Sequence, residues 1–474
     1  MTQILHDTDS KNPPLPARAR WAVLGVVLAA DVLDLLDATI TNIAAPTITA
    51  DLGGGAALVK WLGAAYALAL GVLLVPGGRL GDRYGRRRTF LIGLAGFVAA
   101  SLACGLAPTP ATLVAARLVQ GAFGALLIPQ GFGILGATWP REEIGKAFSL
   151  FGPVMGLSAV GGPVLAAFLV DADLAGLGWR SMFLINLLLG GAALLAAHRL
   201  LPRDRGTPGT VVDTPGALLL AGAMLGLLGG LIDGSDHGWN TRPLLALLAG
   251  LALFAGFARR QATAPEPLIR PSLLRHRGFT SGLLLGVVAF AAVAGLLYAV
   301  SLYLQRGLGR TPTGTALALI PLCAGIVVAS IACHRLLATH GRRLVVTGLL
   351  LLLAGCGCLL AAVSQGATGS WALIAPLLLV GLGMGTCFGT VYDVTIGDIA
   401  PDEAGSASGS LNAVQQLANA LGAAAVTTVY FAAVPDGGEG HALTVTLTVV
   451  AASVAACLPL VRLLPRTAAE GHGH

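Results

Sequence analysis

Long apolar runs recur along almost the whole chain, and they constrain the fold more than any other feature. Only 11% of the 474 residues are charged, against about 25% in a soluble globular protein. So few charges do not make an aqueous surface for a chain of this length, and lipid must be the main solvent. The sequence therefore predicts an all-α integral membrane protein.

Fourteen apolar runs have about the 20 residues that a helix needs to cross a bilayer. The predicted spans lie near 21–43, 57–77, 89–107, 111–137, 147–170, 180–200, 214–234, 243–259, 279–304, 314–336, 343–363, 371–393, 407–433 and 441–463. Proline- and glycine-rich segments, which are typical of loops, separate several of them.

Basic residues divide the loops into two classes. With a cytoplasmic N-terminus, 23 of the 29 lysines and arginines fall on the inner side, and Arg117 falls within a span. The outer side has only Lys60, Arg180, Arg242, Arg306 and Arg310. Because cytoplasmic loops carry the excess of positive charge, both termini are predicted to be cytoplasmic. Topology thus explains the net charge of +6 without a nucleic-acid partner.

The sequence carries no motif for nucleotide or metal chemistry. It has no GxxxxGK[ST] loop, and its seven cysteines lie within or beside apolar runs without CxxC spacing. No nucleophile and base recur at helical spacing either. We expect no metal, no bound cofactor and no enzymatic activity, so that any pumping would draw on the proton motive force.

Ionisable residues lie inside two predicted spans, where an aspartate costs about 2.5–3.5 kcal/mol. The first span has Asp31, Asp34 and Asp37, and the fourth has Arg117. Asp37 and Arg117 both lie about six residues, or about 9 Å, below the outer surface. We predict that they pair and that Asp37 carries a proton. The other two acids would face a cavity, where they receive a cationic substrate or relay the proton.

Neutral polar side chains mark further candidates for the substrate path. Asn412, Gln415, Gln416 and Asn419 share one face of the thirteenth span, because helical residues three or four apart are neighbours. This face either lines a substrate path or forms hydrogen bonds between helices. Other lining candidates are Asp31, Asp34, Tyr66 and Gln130.

Two motifs near the N-terminus carry a family resemblance. The loop after the second span reads Gly78-Arg79-Leu80-Gly81-Asp82-Arg83-Tyr84-Gly85-Arg86-Arg87-Arg88. It resembles the signature loop between the second and third helices of the major facilitator superfamily. The stretch from Leu36 to Pro46 resembles the first-helix motif of the fourteen-helix drug–proton antiporters in that superfamily. Thr41 and Ala45 stand there where larger apolar residues are usual.

Two later motifs extend the resemblance. Arg117-Leu118-Val119-Gln120-Gly121 resembles the fourth-helix motif, whose arginine is linked to proton coupling. Gly152, Gly156, Gly162 and Pro163 resemble the antiporter motif of the fifth helix, with alanines where two glycines usually close it.

The resemblance implies two six-helix bundles with two extra helices between them. The implied divisions are a cytoplasmic tail at 1–20, the N-terminal bundle at 21–205, two inserted helices and a cytoplasmic loop at 206–277, the C-terminal bundle at 278–464 and a tail at 465–474. The implied conformational residues of the signature loop are Gly78, Asp82, Arg83, Gly85, Arg86 and Arg87.

The implied function is proton-coupled efflux of amphipathic drugs or antibiotics by a monomer in the plasma membrane. Asp37, Arg117 and Asp34 would couple protons to transport. An uptake symporter or facilitator of the same fold is an alternative, and a sensor or scaffold that transports nothing is another. The costly Asp37–Arg117 pair argues against a scaffold, which needs no intramembrane charge.

Overall fold

The computed structural model describes residues 16–140, 143–173, 176–207, 209–334, 337–366, 369–396, 399 and 403–464. All regular elements in these ranges are helical. Most of the predicted tail at 1–20 and all of the tail at 465–474 lie outside the described residues.

The first seven helices form the N-terminal part of the fold. They are α1 (Ala17–Leu52), α2 (Gly55–Tyr84), α3 (Arg86–Gly105), α4 (Pro110–Gly124), α5 (Ile128–Thr138), α6 (Ile144–Asp171) and α7 (Arg180–Leu200). The inserted pair is α8 (Thr214–His237) and α9 (Thr241–Thr263). The C-terminal part has α10 (Pro271–Arg275), α11 (Arg277–Leu302), α12 (Pro312–Ala318), α13 (Ile320–His334), α14 (Leu337–Ser364), α15 (Ser370–Ile396) and α16 (Ala404–Leu460).

The predicted span at 111–137 is interrupted in the structure. A turn at residues 125–127 separates α4 from α5, and Pro129 follows at the start of α5. A proline ring clashes with the carbonyl four residues earlier, here that of Ala125, and disfavours helical backbone at the residue before it. The two segments together still form one stretch that is long and apolar enough to cross a membrane.

Two helix ends differ from the predicted spans. The first span was expected to end near residue 43, but α1 continues through Pro46 to Leu52. The last two predicted spans lie almost entirely within α16, whose 57 residues would extend over about 86 Å as one straight helix. Its backbone leaves helical geometry at Gly437 and Gly438, where the φ of Gly438 is 76°. A bilayer core is only about 30 Å thick, so α16 is too long for a single crossing.

Eleven stretches in the described part of the chain are long and apolar enough to be membrane spans. They include both inserted helices, α8 and α9, and all of α16 counts as one of them. The fold is that of a multi-pass membrane protein, and the number fourteen remains a prediction.

The helices pack as two groups that meet along α2 and α16. In the N-terminal part α1 packs on α6 and α7, and α3 packs on α4 and α7. In the C-terminal part α11 packs on α16, and α15 packs on α13 and α14. The inserted helix α8 contacts both α2 and α16. Its apolar side chains therefore cover the seam between the two groups.

Small residues bring some backbones close together. A Cβ at Gly381 would lie 2.0 Å from the carbonyl oxygen of Leu322, and one at Gly385 would lie 2.4 Å from that of Ile326. The glycines of α15 thus allow α13 to approach, as small residues do in membrane helices. Gly389, on the same face, meets open space.

The two groups make direct polar contacts at the end of the molecule opposite the signature loop, which we call the distal end. Gln305 Nε2 donates to the Ile43 carbonyl at 3.0 Å, and the Thr313 amide donates to Asp171 Oδ2 at 2.9 Å. Ala167 of α6 packs with Ile43 in a small apolar cluster beside these bonds. Contacts between the N-terminal and C-terminal helices therefore close the distal end.

Candidate functional site

An ion pair is enclosed among the N-terminal helices. Arg117 of α4 donates from Nη1 to Oδ2 of Asp37 on α1, and the two side chains are 1% and 0% exposed. The other carboxylate oxygen, Oδ1, accepts bonds of 2.8 Å from the amides of Gln120 on α4 and Asn186 on α7. Matched depth in the sequence led us to expect the pair but did not indicate the two amides.

Ser101 of α3 completes this network. Its hydroxyl accepts from the amides of Gln120 at 3.2 Å and Asn186 at 2.9 Å, and it donates to the Phe183 carbonyl at 3.0 Å. Side chains from α1, α3, α4 and α7 thus share one buried set of hydrogen bonds. A buried ion pair is stable only where such bonds satisfy its remaining polar atoms.

Tyr66 of α2 joins the ion pair to a second aspartate. The centre of its ring lies 4.5 Å from the guanidinium carbon of Arg117, and its hydroxyl donates to Oδ1 of Asp34. Glycines of α4 make room for this contact. A Cβ at Gly121 would lie 2.3 Å from the Tyr66 carbonyl oxygen, and one at Gly124 would lie 2.9 Å from Asp34 Oδ1.

The three aspartates of α1 point in different directions, as their spacing requires. Asp37 contacts α4 and α7, whereas Asp34 contacts α2. Asp31 is 9% exposed, and its Oδ1 is buried without a hydrogen-bond partner among the described residues. Of the three aspartates, Asp37 is the one that accepts a hydrogen bond from Arg117.

The polar face of α16 contributes neutral groups on the C-terminal side. The hydroxyl of Tyr392 on α15 donates to Gln415 Oε1 at 2.6 Å, and Asn419 Nδ2 donates to Gln416 Oε1 at 3.1 Å. These three amides and Asn412 are all half-buried. The interhelical and substrate-lining interpretations are compatible here, because the groups bond to one another and still keep accessible surface.

Gln130 occupies a packing position between α5 and α2. Its amide donates to the Gly77 carbonyl at 2.9 Å, and its Oε1 fills the space beside Gly81, where a Cβ would lie 1.7 Å away. Gly78 lies next to it, and a Cβ there would lie 3.4 Å from Pro129. With 1% of its surface exposed, Gln130 holds two helices together in this conformation.

The signature loop is bound to the N-terminal helices. Arg86 donates to the Gly133 carbonyl of α5 at 2.6 Å and to Asp82 Oδ1 at 3.2 Å. Arg87 donates to the His198 carbonyl of α7 at 2.6 Å. The loop therefore ties the ends of α5 and α7 to the start of α3.

Asp204 is a partner of this loop that the sequence did not reveal. Its carboxylate accepts from the backbone amides of Arg86 at 2.5 Å and Arg87 at 3.0 Å, at the start of α3. A negative charge is favourable at a helix N-terminus. The turn before it depends on Gly85, whose φ is 96°. The guanidinium carbon of Arg83 lies 5.2 Å from the centre of the Tyr84 ring. Asp204 follows the loop by more than a hundred residues, so no local spacing signals the contact.

A second buried ion pair lies at the distal end. We expected Lys60 to be an outer-loop charge, but it lies on α2 and is 1% exposed. Its Nζ donates to Asp236 Oδ1 at 2.7 Å and to the hydroxyl of Ser235, both on α8. The ring of Phe431 on α16 lies 5.7 Å from the same nitrogen. The inserted pair is thus fastened to α2 by a charge.

The described residues contain no group of three histidine, cysteine, aspartate or glutamate side chains that could hold a metal ion. The chemistry available at the site is ionic and hydrogen bonding. It consists of one guanidinium, three carboxylates and a phenol inside the N-terminal helices, and of neutral amides on the C-terminal side.

Comparison with known proteins gives one consistent result. A family model described as Major Facilitator Superfamily matches residues 27–423. A probable actinorhodin transporter of Streptomyces coelicolor (strain ATCC BAA-471 / A3(2) / M145) is 43% identical over 432 residues, which cover 90% of this chain and 75% of that protein. A puromycin resistance protein of Streptomyces alboniger is 36% identical over 445 residues, covering 92% and 87%.

Solved structures agree at the level of the fold. The crystal structure of the peptide transporter POT in complex with sulfate superimposes with a TM-score of 0.67 at 15% identity, covering 96% of this chain and 97% of that one. At 15% identity this match shows a shared fold and gives no information about the substrate. The helical fold, the signature loop and the family match coincide over most of the sequence, and the chain belongs to the major facilitator superfamily.

Proposed function

We propose that this protein exports small amphipathic molecules, such as drugs or antibiotics, across the plasma membrane in exchange for protons. The observation that carries the proposal is the buried Asp37–Arg117 pair among helices that span a membrane. Intramembrane charges are costly, and they mark ion and substrate pathways. Relatives named for actinorhodin transport and puromycin resistance support export as the direction.

The proposed mechanism is alternating access. The contacts that close the distal end, among them Gln305 with Ile43, are those expected of a carrier that faces the cytoplasm. Rocking of the N-terminal helices against the C-terminal helices would break these contacts and open the other side. Substrate would bind between Asp31, Asp34 and Tyr66 on one side and the amide face of α16 on the other.

The proton-coupling set is Asp37, Arg117 and Asp34, which Tyr66 joins through one hydrogen bond and one cation–π contact. A carboxylate that gains a proton loses its attraction for a neighbouring guanidinium or cationic substrate. Proton and substrate would thus compete for the same acids, and this competition is the simplest basis for exchange.

The proposed topology has fourteen spans, as two six-helix bundles with α8 and α9 between them. The length of α16 and its break at Gly437 and Gly438 support two crossings there. Reporter fusions after residues 208, 236 and 268 should read inside, outside and inside. A cytoplasmic reading at 236 would exclude two inserted crossings.

Transport into inside-out membrane vesicles tests the function. The probes are puromycin, ethidium and tetraphenylphosphonium, with and without an acidic lumen. We expect at least one probe to accumulate against its gradient when the lumen is acidic, and to leak out when a protonophore is added. Vesicles with equal amounts of the double variant Asp37→Asn/Arg117→Gln are the control.

Two results would contradict the proposal. One is that no probe accumulates although the protein is inserted at wild-type levels. The other is accumulation that ignores the pH gradient. Movement of a probe out of the lumen together with protons would instead establish symport.

A further inference from the structure

The carboxylates of Asp37 and Asp34 differ in how many donors they accept from. Asp37 accepts from Arg117, Gln120 and Asn186, so both of its oxygens are occupied. A proton on the Asp37 carboxylate would point an O–H donor at the N–H donors that already bond to it. It would also leave Arg117 without a buried counter-ion. Breaking a buried pair in this way is strongly unfavourable.

Asp34 has a simpler environment. Its side chain accepts from the hydroxyl of Tyr66, which is a neutral group. A phenol donates to a carboxylate and can equally accept from a carboxylic acid, so the contact tolerates either form of Asp34. The change of form at Asp34 therefore needs no other charged group to lose its partner.

Exposure at the protein surface also differs along α1. Exposure is 0% at Asp37, 7% at Asp34 and 9% at Asp31, one helical turn apart at each step. Asp31 Oδ1 is buried without a partner among the described residues. With the N-terminus in the cytoplasm, as proposed, a proton that leaves Asp34 for the cytoplasm thus passes Asp31 and not the sealed Asp37.

The position of Tyr66 depends on one glycine. A Cβ at Gly124 would lie 2.7 Å from the Tyr66 hydroxyl and 2.9 Å from Asp34 Oδ1. A side chain at that position would displace the phenol, the carboxylate or both. The same ring lies on Arg117, so displacement of the phenol changes the surroundings of the ion pair as well.

The titratable and charged groups near Asp34 come from several helices. They are Asp31 and Asp37 of α1, Tyr66 of α2 and Arg117 of α4. Cys104 of α3 and Tyr298 of α11 interact with Arg117. The Cys104 thiol donates a hydrogen bond to Gln120 Oε1, and the Tyr298 hydroxyl donates one to the Val59 carbonyl. Of these groups only Tyr66 donates a hydrogen bond to Asp34.

We propose that Asp34 carries the exchanged proton, that Tyr66 transmits its charge state to Arg117, and that Asp37 remains the permanent counter-ion of Arg117. This assignment rests on the proposed proton-coupled function and differs from the expectation that Asp37 carries the proton. In the outward-facing state the Asp34 carboxylate takes one proton from outside water. In the inward-facing state the carboxylic acid releases that proton to the cytoplasm, and the ionised group is then available to a cationic substrate.

Infrared difference spectroscopy on protein in proteoliposomes tests the assignment without a substrate. The C=O stretch of protonated carboxyl groups is followed while the buffer is cycled between alkaline and acidic pH. We expect Asp34→Asn to lose one component of this band. The double variant Asp37→Asn/Arg117→Gln should keep that component, and it avoids leaving one buried charge alone.

Tyr66→Phe and Gly124→Ala supply a second readout. Both remove the phenol contact that stabilises the carboxylate, so both should shift the midpoint of the Asp34 component to higher pH. Gly136→Ala on α5 is the matched control, because a Cβ there meets no atom of the described side chains and backbone within 4 Å. It should leave the midpoint unchanged.

The pH profile of ethidium transport separates this inference from the proposed function. If wild-type transport is proton-driven, Asp34→Asn should move ethidium down its gradient but no longer against it. Proton-driven accumulation by Asp34→Asn with an unchanged infrared band would overturn the inference and leave the proposed function standing. Wild-type transport that ignores pH would overturn the proposed function, while the infrared band would still report whether Asp34 titrates.

Discussion

Two buried ion pairs among the described residues differ in what they connect and in how fully their carboxylates are hydrogen-bonded. Asp37–Arg117 lies among helices of the N-terminal part, and both oxygens of Asp37 accept hydrogen bonds. Lys60–Asp236 joins α2 to the inserted helix α8, and Asp236 Oδ2 is buried without a partner among the described residues.

Under the proposed mechanism, this difference separates a buried charge that fastens helices from one that lies beside a proton site. The Lys60 pair fastens one helix to another near the distal end, where Asp236 is still 15% exposed. The Arg117 pair is sealed, and through Tyr66 it is next to Asp34, the carboxylate that we propose to carry the proton. The neighbours of each pair, rather than its charge, indicate its role.

Replacing Arg117 with methionine should produce the largest effect. It leaves Asp37 as an uncompensated buried charge, which costs about 3–5 kcal/mol. We expect a lower unfolding temperature in detergent and no transport against a gradient. The double variant Asp37→Asn/Arg117→Gln should recover most of the unfolding temperature without recovering pH-driven transport. Wild-type unfolding of the single variant would refute the electrostatic role of the pair.

Replacing Lys60 with methionine should destabilise the protein less than replacing Arg117 does. The pH dependence of ethidium transport should stay unchanged. A hydrogen bond to a charged group contributes about 1.5–3 kcal/mol, and the partly exposed Asp236 can regain water. Arg242→Met is the control, because it removes an exposed ion pair instead of a buried one. The Arg242 side chain is 86% exposed, and its Nε lies 3.5 Å from Asp233 Oδ2. A changed pH dependence of ethidium transport in Lys60→Met would place this pair in the proton path.

Asp82→Asn should alter the rate of transport rather than stability. The Asp82–Arg86 contact is half-exposed, so its loss should change the free energy of unfolding by no more than about 0.5 kcal/mol. Charge-assisted bonds of this loop are expected to stabilise one state of the inner face. Initial rates at matched protein levels measure the effect, and unchanged turnover would exclude this role.

The smallest expected effect concerns the loop before α6. The hydrogen bond from Arg20 lowers the pKa of Glu143 below its usual value. The pair is therefore formed at neutral pH, and its contribution is lost as the pH falls through that lowered pKa. We expect Glu143→Gln to unfold at a slightly lower temperature than wild type at neutral pH and at the same temperature in acid. A difference that persists in acid would point to another cause.

The sequence predicts most helices well because apolar length alone determines them. Spans such as 57–77 and 180–200 lie within α2 and α7, whose ends are set by glycine, proline and charged loops. Helix α1 runs beyond the predicted span at 21–43, because Pro46 is accommodated inside the helix. Pro129 acted in the opposite way and interrupted a run that looked continuous.

The candidate site was only partly predictable. Asp37 and Arg117 stand out because charges are rare in apolar runs, and depth along two helices brings them together. Asn186 and Ser101 gave no such signal, since a neutral polar residue in a span is common and its partners depend on helix rotation. Asp236 gave no signal either, because the sequence does not show that α8 extends to the distal end of α2.

Proton movement driven by substrate alone tests the central claim most directly. Proteoliposomes with a trapped pH-sensitive dye and no initial pH gradient receive an inward gradient of ethidium. If the protein exchanges protons for substrate, ethidium entry should drive protons out and make the lumen alkaline, and Asp34→Asn should abolish the pH change. Ethidium entry through the wild-type protein without any change of lumenal pH would contradict the account.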